Sequence, residues 1–251
     1  MIKIIDSSFD RENELVKFCE NSPFGCKVLS VYLCYDTALD FVDIWYQTDE
    51  NNRIIGAISS FENNFTLMLS DNSNLEEIRS FLVFKNPRFI LAESKYYISD
   101  IEKSRVGDVM KYHGEICFDD KVIIPEVDKA YSLMKDNESD DFPVPEYNYF
   151  LSDVMHRKNL DKFSIFGIFD RELLSVAMTV AECEKSVVIG GVATDKNIRN
   201  KGLGKRTVTH ISSKFLQEKK SVFVYCAKKN TKFYEKCGFS KIFEFTEYTK
   251  R

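Results

Sequence analysis

The chain has 251 residues, 44% hydrophobic and 29% charged, enough apolar material for one large core or two smaller ones. A net charge of −4 argues against a binder of nucleic acid or of an anionic membrane surface, and 21 Phe argue against extended disorder. The opening MIKIIDSSFDRENEL has no apolar run of signal-peptide length and no stretch reaches transmembrane length, so a cytoplasmic protein without a membrane partner is expected.

In the first half, residues 41–46, 54–61 and 65–70 read as strands, with a turn at Asp49-Glu50-Asn51-Asn52 between the first two. A helix at 74–84, expected to carry Leu75, Ile78, Leu82 and Val83 inward, leads to a strand at 88–92. A joint near 113–121 divides the chain into domains 1–115 and 116–251. Helices at 126–135 and 146–158 then flank the charged stretch KDNESDD at 135–141.

Residues 163–169, 173–182 and 186–194 are apolar or β-branched runs separated by the hairpin-length turns Asp170-Arg171-Glu172 and Cys183-Glu184-Lys185. A polar loop, Asp195 to Lys201, opens a helix whose apolar side is Leu203, Val208, Ile211, Phe215 and Leu216, with His210 on its polar side. Val222 to Cys226 is a short continuous apolar run, suited to a strand covered on both faces. A helix at 230–237 stops at Gly238, and a last strand runs over 239–248. Both halves therefore read β-β-β-α-β, as a duplicated unit would.

The cysteines (Cys19, Cys26, Cys34, Cys117, Cys183, Cys226 and Cys237) are scattered, lack C-x-x-C spacing and gain no zinc pattern from the three histidines. Reduced thiols packed as small hydrophobes, and no metal, are expected.

The segment that points to chemistry is Arg199-Asn200-Lys201-Gly202-Leu203-Gly204, at a strand-to-helix junction. Its glycines permit a tight turn and close backbone approach, the first N–H groups of the following helix lack intrahelical partners, and Arg199, Lys201, Lys205 and Arg206 add positive charge. These are the ingredients of a diphosphate site. A dinucleotide fingerprint needs a small residue where Thr207 stands, and a P-loop needs Gly and Ser/Thr where Arg199 and Arg206 stand, so neither nucleotide motif fits.

On these residues the C-terminal half resembles the GNAT superfamily of N-acetyltransferases. Arg199, Gly202 and Gly204 meet its R/Q-x-x-G-x-G/A signature, and Asn230-Thr231-Lys232-Phe233-Tyr234-Glu235-Lys236-Cys237-Gly238-Phe239 is similar to its last motif. One departure is that Asn230 stands four residues before Tyr234, whereas the commonest family spacing would put it at Ala227. The resemblance implies an α+β fold of tandem GNAT-like units, each a mixed, mainly antiparallel sheet flanked by helices, the first unit without a coenzyme site. It implies acetyl-CoA as co-substrate, a small-molecule amine as acceptor, and direct attack with no acyl-enzyme. The cofactor-binding residues it implies are Val192, Ala193, Thr194, Arg199, Asn200, Lys201, Gly202, Leu203, Gly204, Lys205, Asn230, Phe233 and Tyr234. Tyr234 is the implied general acid.

Glu182, Glu184 and Asp195 flank the strands concerned and are the carboxylates open to a general-base role, with a chain of waters as the equal alternative; His156 and His210 are expected at the surface or one shell out, and Cys237 in the core. A catalytically silent acyl-CoA sensor is the alternative of another class. In the first half the matching loop, Ser70-Asp71-Asn72-Ser73-Asn74, has neither glycine nor a basic residue, and Glu76 and Glu77 fill the first helical turn, so no diphosphate is expected there.

Overall fold

The computed structural model describes residues 1–98 and 103–249. In chain order the elements are β1 (Ile2–Ile4), α1 (Glu12–Cys19), α2 (Pro23–Cys34), β2 (Val42–Thr48), β3 (Ile54–Phe61), β4 (Asn64–Leu69), α3 (Leu75–Lys85) and β5 (Phe89–Glu93). There follow β6 (Lys103–Tyr112), β7 (Val122–Ile123), α4 (Val127–Asp136), α5 (Tyr147–Asn159), β8 (Ile165–Asp170), β9 (Glu172–Glu182) and β10 (Ser186–Thr194). The last are α6 (Leu203–Gln217), β11 (Ser221–Ala227), α7 (Thr231–Lys236) and β12 (Phe239–Thr249). No described helix is long and apolar enough to cross a membrane.

The chain forms two compact units, Met1–Val109 with Phe243–Arg251, and Met110–Ile242. The sequence places one joint at 115/116; the structure changes units twice, inside β6 and inside β12. The reason is pairing: Phe245 to Thr249 run antiparallel to Glu93 to Phe89, so the end of the chain completes the sheet of the first unit. Arg105 reinforces this edge with two hydrogen bonds to the Glu247 carboxylate, from Nε at 2.7 Å and Nη2 at 2.5 Å.

In the first unit β1, β2, β3 and β4 pair antiparallel in turn, and β4 pairs parallel to β5 through the α3 crossover. Its core gathers Trp45, Ile58, Phe65, Leu67, Ile78, Leu82 and Ile90. Trp45 stacks on Phe65 at 5.5 Å and meets the edge of Phe81 at 5.0 Å. Ile78 and Leu82 face inward as expected, but Val83 does not: it is 79% exposed, and Phe81 packs on the core instead. At about 100° per residue, Val83 lies about 140° round the helix from Ile78, outside the apolar stripe.

The second unit repeats the arrangement. β7, β8, β9 and β10 pair antiparallel, and β10 pairs parallel to β11 through α6. Its strands are covered on both faces, so they read as continuous apolar runs. Val176 and Met178 pack among α4 and α5 residues such as Leu133, Phe150 and Val154, whereas Ala177 between them joins Val208, Ile211 and Phe215 of α6 on the other face. The repeat extends beyond β-β-β-α-β, since a short strand and two helices precede it in each unit: β1-α1-α2 and β7-α4-α5. Six of the seven cysteines are buried thiols; Cys117 is exposed.

Candidate acyl-coenzyme site in the second unit

The site starts from a defect in β10. Gly190 pairs with Met178 and Ala193 with Val176, so three steps along β10 oppose two along β9 and one residue bulges. Gly191 sits in the bulge at φ +57°, where a side chain is strained. Space is also tight, because a Cβ there would lie 2.7 Å from Met178 Cε and 2.8 Å from its Cγ, so the Met178 side chain would have to shift. Sequence reasoning missed this feature, although two adjacent glycines inside an apolar strand are its usual signal.

A bulge bends its strand, and the pairing of β10 with its parallel neighbour stops just before this one. Pairing of β10 with β11 runs from Ser186↔Ser221 to Ile189↔Val224 and, among the described residues, goes no further, although the strands continue to Thr194 and Ala227. Val192, Ala193 and Thr194 lie on this diverging stretch. On the β9 side Ala193 and Thr194 remain paired, with Val176 and Ser175. Toward β11 the strand edge is free of that register, which leaves backbone donors and acceptors for an extended ligand arm.

The loop after β10 is shaped by its own side chains. Asp195 accepts the Asn197 N–H at 2.7 Å and caps the short 3-10 turn Lys196–Ile198. Asn200 (φ +66°) and Gly202 (φ +80°) are both left-handed, turning the chain into α6. No side chain caps α6, so the first amides of Leu203, Gly204 and Lys205 point out of the helix end unoccupied by a capping oxygen. A Cβ on Gly202 would meet nothing within 4 Å, so the space over this turn is open. Gly204 is needed for the opposite reason: a Cβ there would come 2.9 Å from Thr194 Oγ1 and 3.4 Å from Phe233 Cζ. Thr194, Gly204 and Phe233 thus meet at one point, joining the end of β10, the start of α6 and α7.

The basic side chains divide. Lys201 and Lys205 are exposed beside the turn. Arg199 folds back, donating from Nε to the Thr194 carbonyl at 3.4 Å and from Nη2 to the Asn137 Oδ1. Arg206, expected to add charge to the turn, is instead committed to Asp119, with Nε–Oδ2 at 2.5 Å and Nη2–Oδ1 at 2.9 Å. That pairing holds the Asp119 carboxyl at about 2, well under its ordinary value.

Asn230 is exposed at the N-cap of α7, without a side-chain capping bond. Tyr234, one turn on, is 7% exposed and meets Phe233 and Phe239 edge-on at 5.0 and 5.7 Å. Burial, then the nearby Cys226 and Cys237 thiols, pushes its phenol up, so it stays protonated at neutral pH. Burial likewise pushes the Cys237 thiol up to about 12, against the small opposing pull of Lys205, which leaves it a poor nucleophile.

Two of the three carboxylates fall away from the site. Glu182 pairs with Val187 at the far end of the hairpin, so Glu182 and Glu184 sit about 20 Å along the strand from Thr194, at roughly 3.3 Å per residue. Glu182 is also spent on Lys220 Nζ at 2.6 Å. Asp195 remains at the right end of β10. His210 is not merely a surface residue: its ring lies 5.0 Å from Phe166 and 5.3 Å from Phe118, and Nδ1 accepts the Asp119 N–H at 3.2 Å. Burial lowers its pKa.

In the first unit the corresponding loop is filled from within. Asn74 Oδ1 accepts the Glu77 N–H at 3.1 Å and caps α3, and Gln47 Oε1 takes the Asn74 N–H at 2.9 Å. Pairing of β4 with β5 ends at Thr66↔Leu91, and the Tyr96 hydroxyl reaches the Leu69 carbonyl and the Asp71 carboxylate, each at 3.2 Å. Lys95 Nζ stands 3.0 Å from the same Asp71.

Residues 165–249 match the family model described as FR47-like protein. A tandem GNAT protein from the clavulanic acid biosynthesis pathway aligns over 100% of this chain and 98% of its own, with a TM-score of 0.59 at 10% identity. The chain carries the GNAT fold. An acetyltransferase of the GNAT family from Colwellia psychrerythraea covers 100% of both chains at a TM-score of 0.56 and 10% identity. A protein from Drosophila covers 99% of this chain and 98% of its own at a TM-score of 0.68 and 10% identity. No curated protein matches the sequence. In this GNAT frame the first and second units are tandem copies, and the bulged β10, the Gly202 turn and α7 all belong to the copy that the family model matches.

Proposed function

We propose that the second unit binds acetyl-CoA and transfers its acetyl group to a primary amine of a small molecule by direct attack. The observation that carries this reading is the open, uncapped turn at Gly202 beside the point where β10 leaves β11. In it the amides of Asn200, Lys201, Gly202, Leu203, Gly204 and Lys205 hold the diphosphate, with Lys201 and Lys205 adding charge. The backbone of Val192 and Thr194 holds the pantetheine arm in strand fashion, Ala193 anchors that stretch in the core, and Asn230 and Phe233 border the arm from the α7 side.

Acetyl-CoA supplies an activated thioester; this chain's residues align and polarise it. A backbone N–H of the 192–194 stretch donates to the carbonyl oxygen as charge develops there. Tyr234, kept protonated by its burial, donates to the departing sulfur as the carbon–sulfur bond breaks, while the attacking nitrogen releases its proton to solvent, from which the phenol is reprotonated. Cys237, buried and held as a thiol, forms no acyl-enzyme. The first unit is taken to bind no coenzyme, because Asn74 caps its α3 and Gln47 accepts the Asn74 N–H, whereas the corresponding helix of the second unit has no side-chain cap.

A thiol-release assay with acetyl-CoA and panels of amino acids, polyamines, aminoglycosides and amino sugars tests the reading. Amine-dependent release of CoA supports transfer. Tight binding with no release across the panels favours the silent acyl-CoA sensor.

A further inference from the structure

Two long-range contacts outside the proposed coenzyme site converge on it. The segment that links α4 to α5 touches both loops that leave the carboxyl ends of β10 and β11. These strands are parallel, so both loops emerge at the same end of the sheet. Asn137, at the C-cap of α4, is oriented by its own helix, because its Nδ2 donates to the Leu133 carbonyl at 2.8 Å. That leaves Oδ1 to accept the Arg199 guanidinium, which also donates to the Thr194 carbonyl at 3.4 Å. Four residues on, the Asp141 carboxylate pairs with Lys229, the residue before Asn230.

We infer that Asn137 and Asp141 are positioning residues for coenzyme binding, a two-point clasp that holds the β10–α6 loop through Arg199 and the β11–α7 turn through Lys229. The inference rests on the acyl-CoA reading of the site. The chemistry of the two arms differs. Arg199 is the first residue of the phosphate-loop signature, and its side chain is spent on geometry: it ties the loop to the end of β10 and to α4. Loss of the Asn137 oxygen removes one side of that tie without touching a ligand group. The Asp141–Lys229 pair is partly exposed, at 38% and 64%, so its hold is the weaker and salt-sensitive of the two. Neither contact includes Tyr234, whose ring is fixed separately by Phe233 and Phe239, so the effect is expected on affinity.

The test is steady-state kinetics with acetyl-CoA, calorimetry with CoA, and thermal melting on the full chain. Asn137→Ala is expected to raise KM for acetyl-CoA and the Kd for CoA about three- to tenfold, the net worth of one ordinary intramolecular hydrogen bond, with kcat within about twofold. Asn137→Asp keeps an acceptor oxygen for Arg199 but loses the Nδ2 donor to Leu133, and is expected to give a KM between those of Asn137→Ala and wild type. Asp141→Lys is expected to weaken binding about two- to fivefold, and adding Lys229→Asp to regain it, as a charge swap does. Wild-type KM in Asn137→Ala, or a fall in melting temperature and kcat with KM unchanged, overturns the clasp while leaving the acyl-CoA reading intact. Absence of CoA binding by the wild-type chain overturns both.

Discussion

Replacing Gly202 by Asn and by Asp separates charge from shape at the proposed diphosphate turn. Both residues tolerate the left-handed backbone better than other side chains, and both project into a space where a Cβ meets nothing within 4 Å. The backbone cost of leaving glycine, on the order of 1 kcal/mol, is therefore shared and cancels in the comparison. What remains is one carboxylate roughly 5 Å from a diphosphate. That repulsion is about 3 kcal/mol per unit charge at an effective dielectric of 20 and about 1 kcal/mol in water. The Asp variant should thus bind CoA roughly 5- to 150-fold more weakly than the Asn variant, by calorimetry at low salt, with the gap narrowing as salt is added. Its stability should move the other way, since a carboxylate favours a helix N-terminus, so Asp should melt no lower than Asn. Equal CoA affinities for the two variants at low salt would refute the placement of an anion over Gly202.

Tyr234→Phe removes the proposed proton donor and should lower kcat by about 10²-fold or more while leaving KM for acetyl-CoA near wild type; unchanged initial rates would exclude the phenol from the mechanism. Cys237→Ala should retain amine-dependent thiol release and show no burst of acetylated protein by mass spectrometry; loss of turnover in a folded variant would restore an acyl-enzyme route. The Arg206–Asp119 pair predicts an acid-linked stability. The Asp119 pKa is lowered from 3.8 to about 2, so its contribution is full above the unfolded value and is lost as pH falls through the folded one. The full shift corresponds to about 2 kcal/mol, and solvent exposure of both partners reduces this to about 1 kcal/mol. Arg206→Met should therefore be less stable than wild type by about that amount at pH 6, by denaturant unfolding, with the difference closing toward pH 2. A difference that persists unchanged at low pH would mean the arginine acts through packing alone.

The fold was legible where turn chemistry and periodicity agree. The hairpins around Asp170-Arg171-Glu172 and Cys183-Glu184-Lys185, the α6 stripe of Val208, Ile211 and Phe215, and the stop at Gly238 (φ +96°) all lie where the residues place them. Helices α1 and α2 were not legible. α1 is only 8 residues long, and α2 buries Phe24, Cys26, Val28, Leu29 and Ser30 on several sides, so no polar face marks its period. Nor does pattern reveal which partner a strand chooses, so β12 reads as one strand although its second half completes the first unit's sheet. At the site, glycines in left-handed or crowded positions made the β10–α6 loop readable. The destinations of Arg199 and Arg206 were not, because Asn137 and Asp119 are 62 and 87 residues away in sequence. The role of glycine also differs between neighbours: Gly202 leaves a space open, whereas Gly204 lets two elements touch.

The proposed activity requires a backbone cup for a diphosphate in the second unit, and the first unit is expected to lack one. Its most direct test is an equilibrium titration of the intact chain with CoA and, separately, with pantetheine, which shares the thiol arm but lacks the diphosphate. Saturation at one CoA per chain, with pantetheine at least about a hundredfold weaker as loss of a charge-assisted cradle demands, is the predicted result. Equal affinity for the two, two CoA per chain, or no binding at millimolar coenzyme would contradict it.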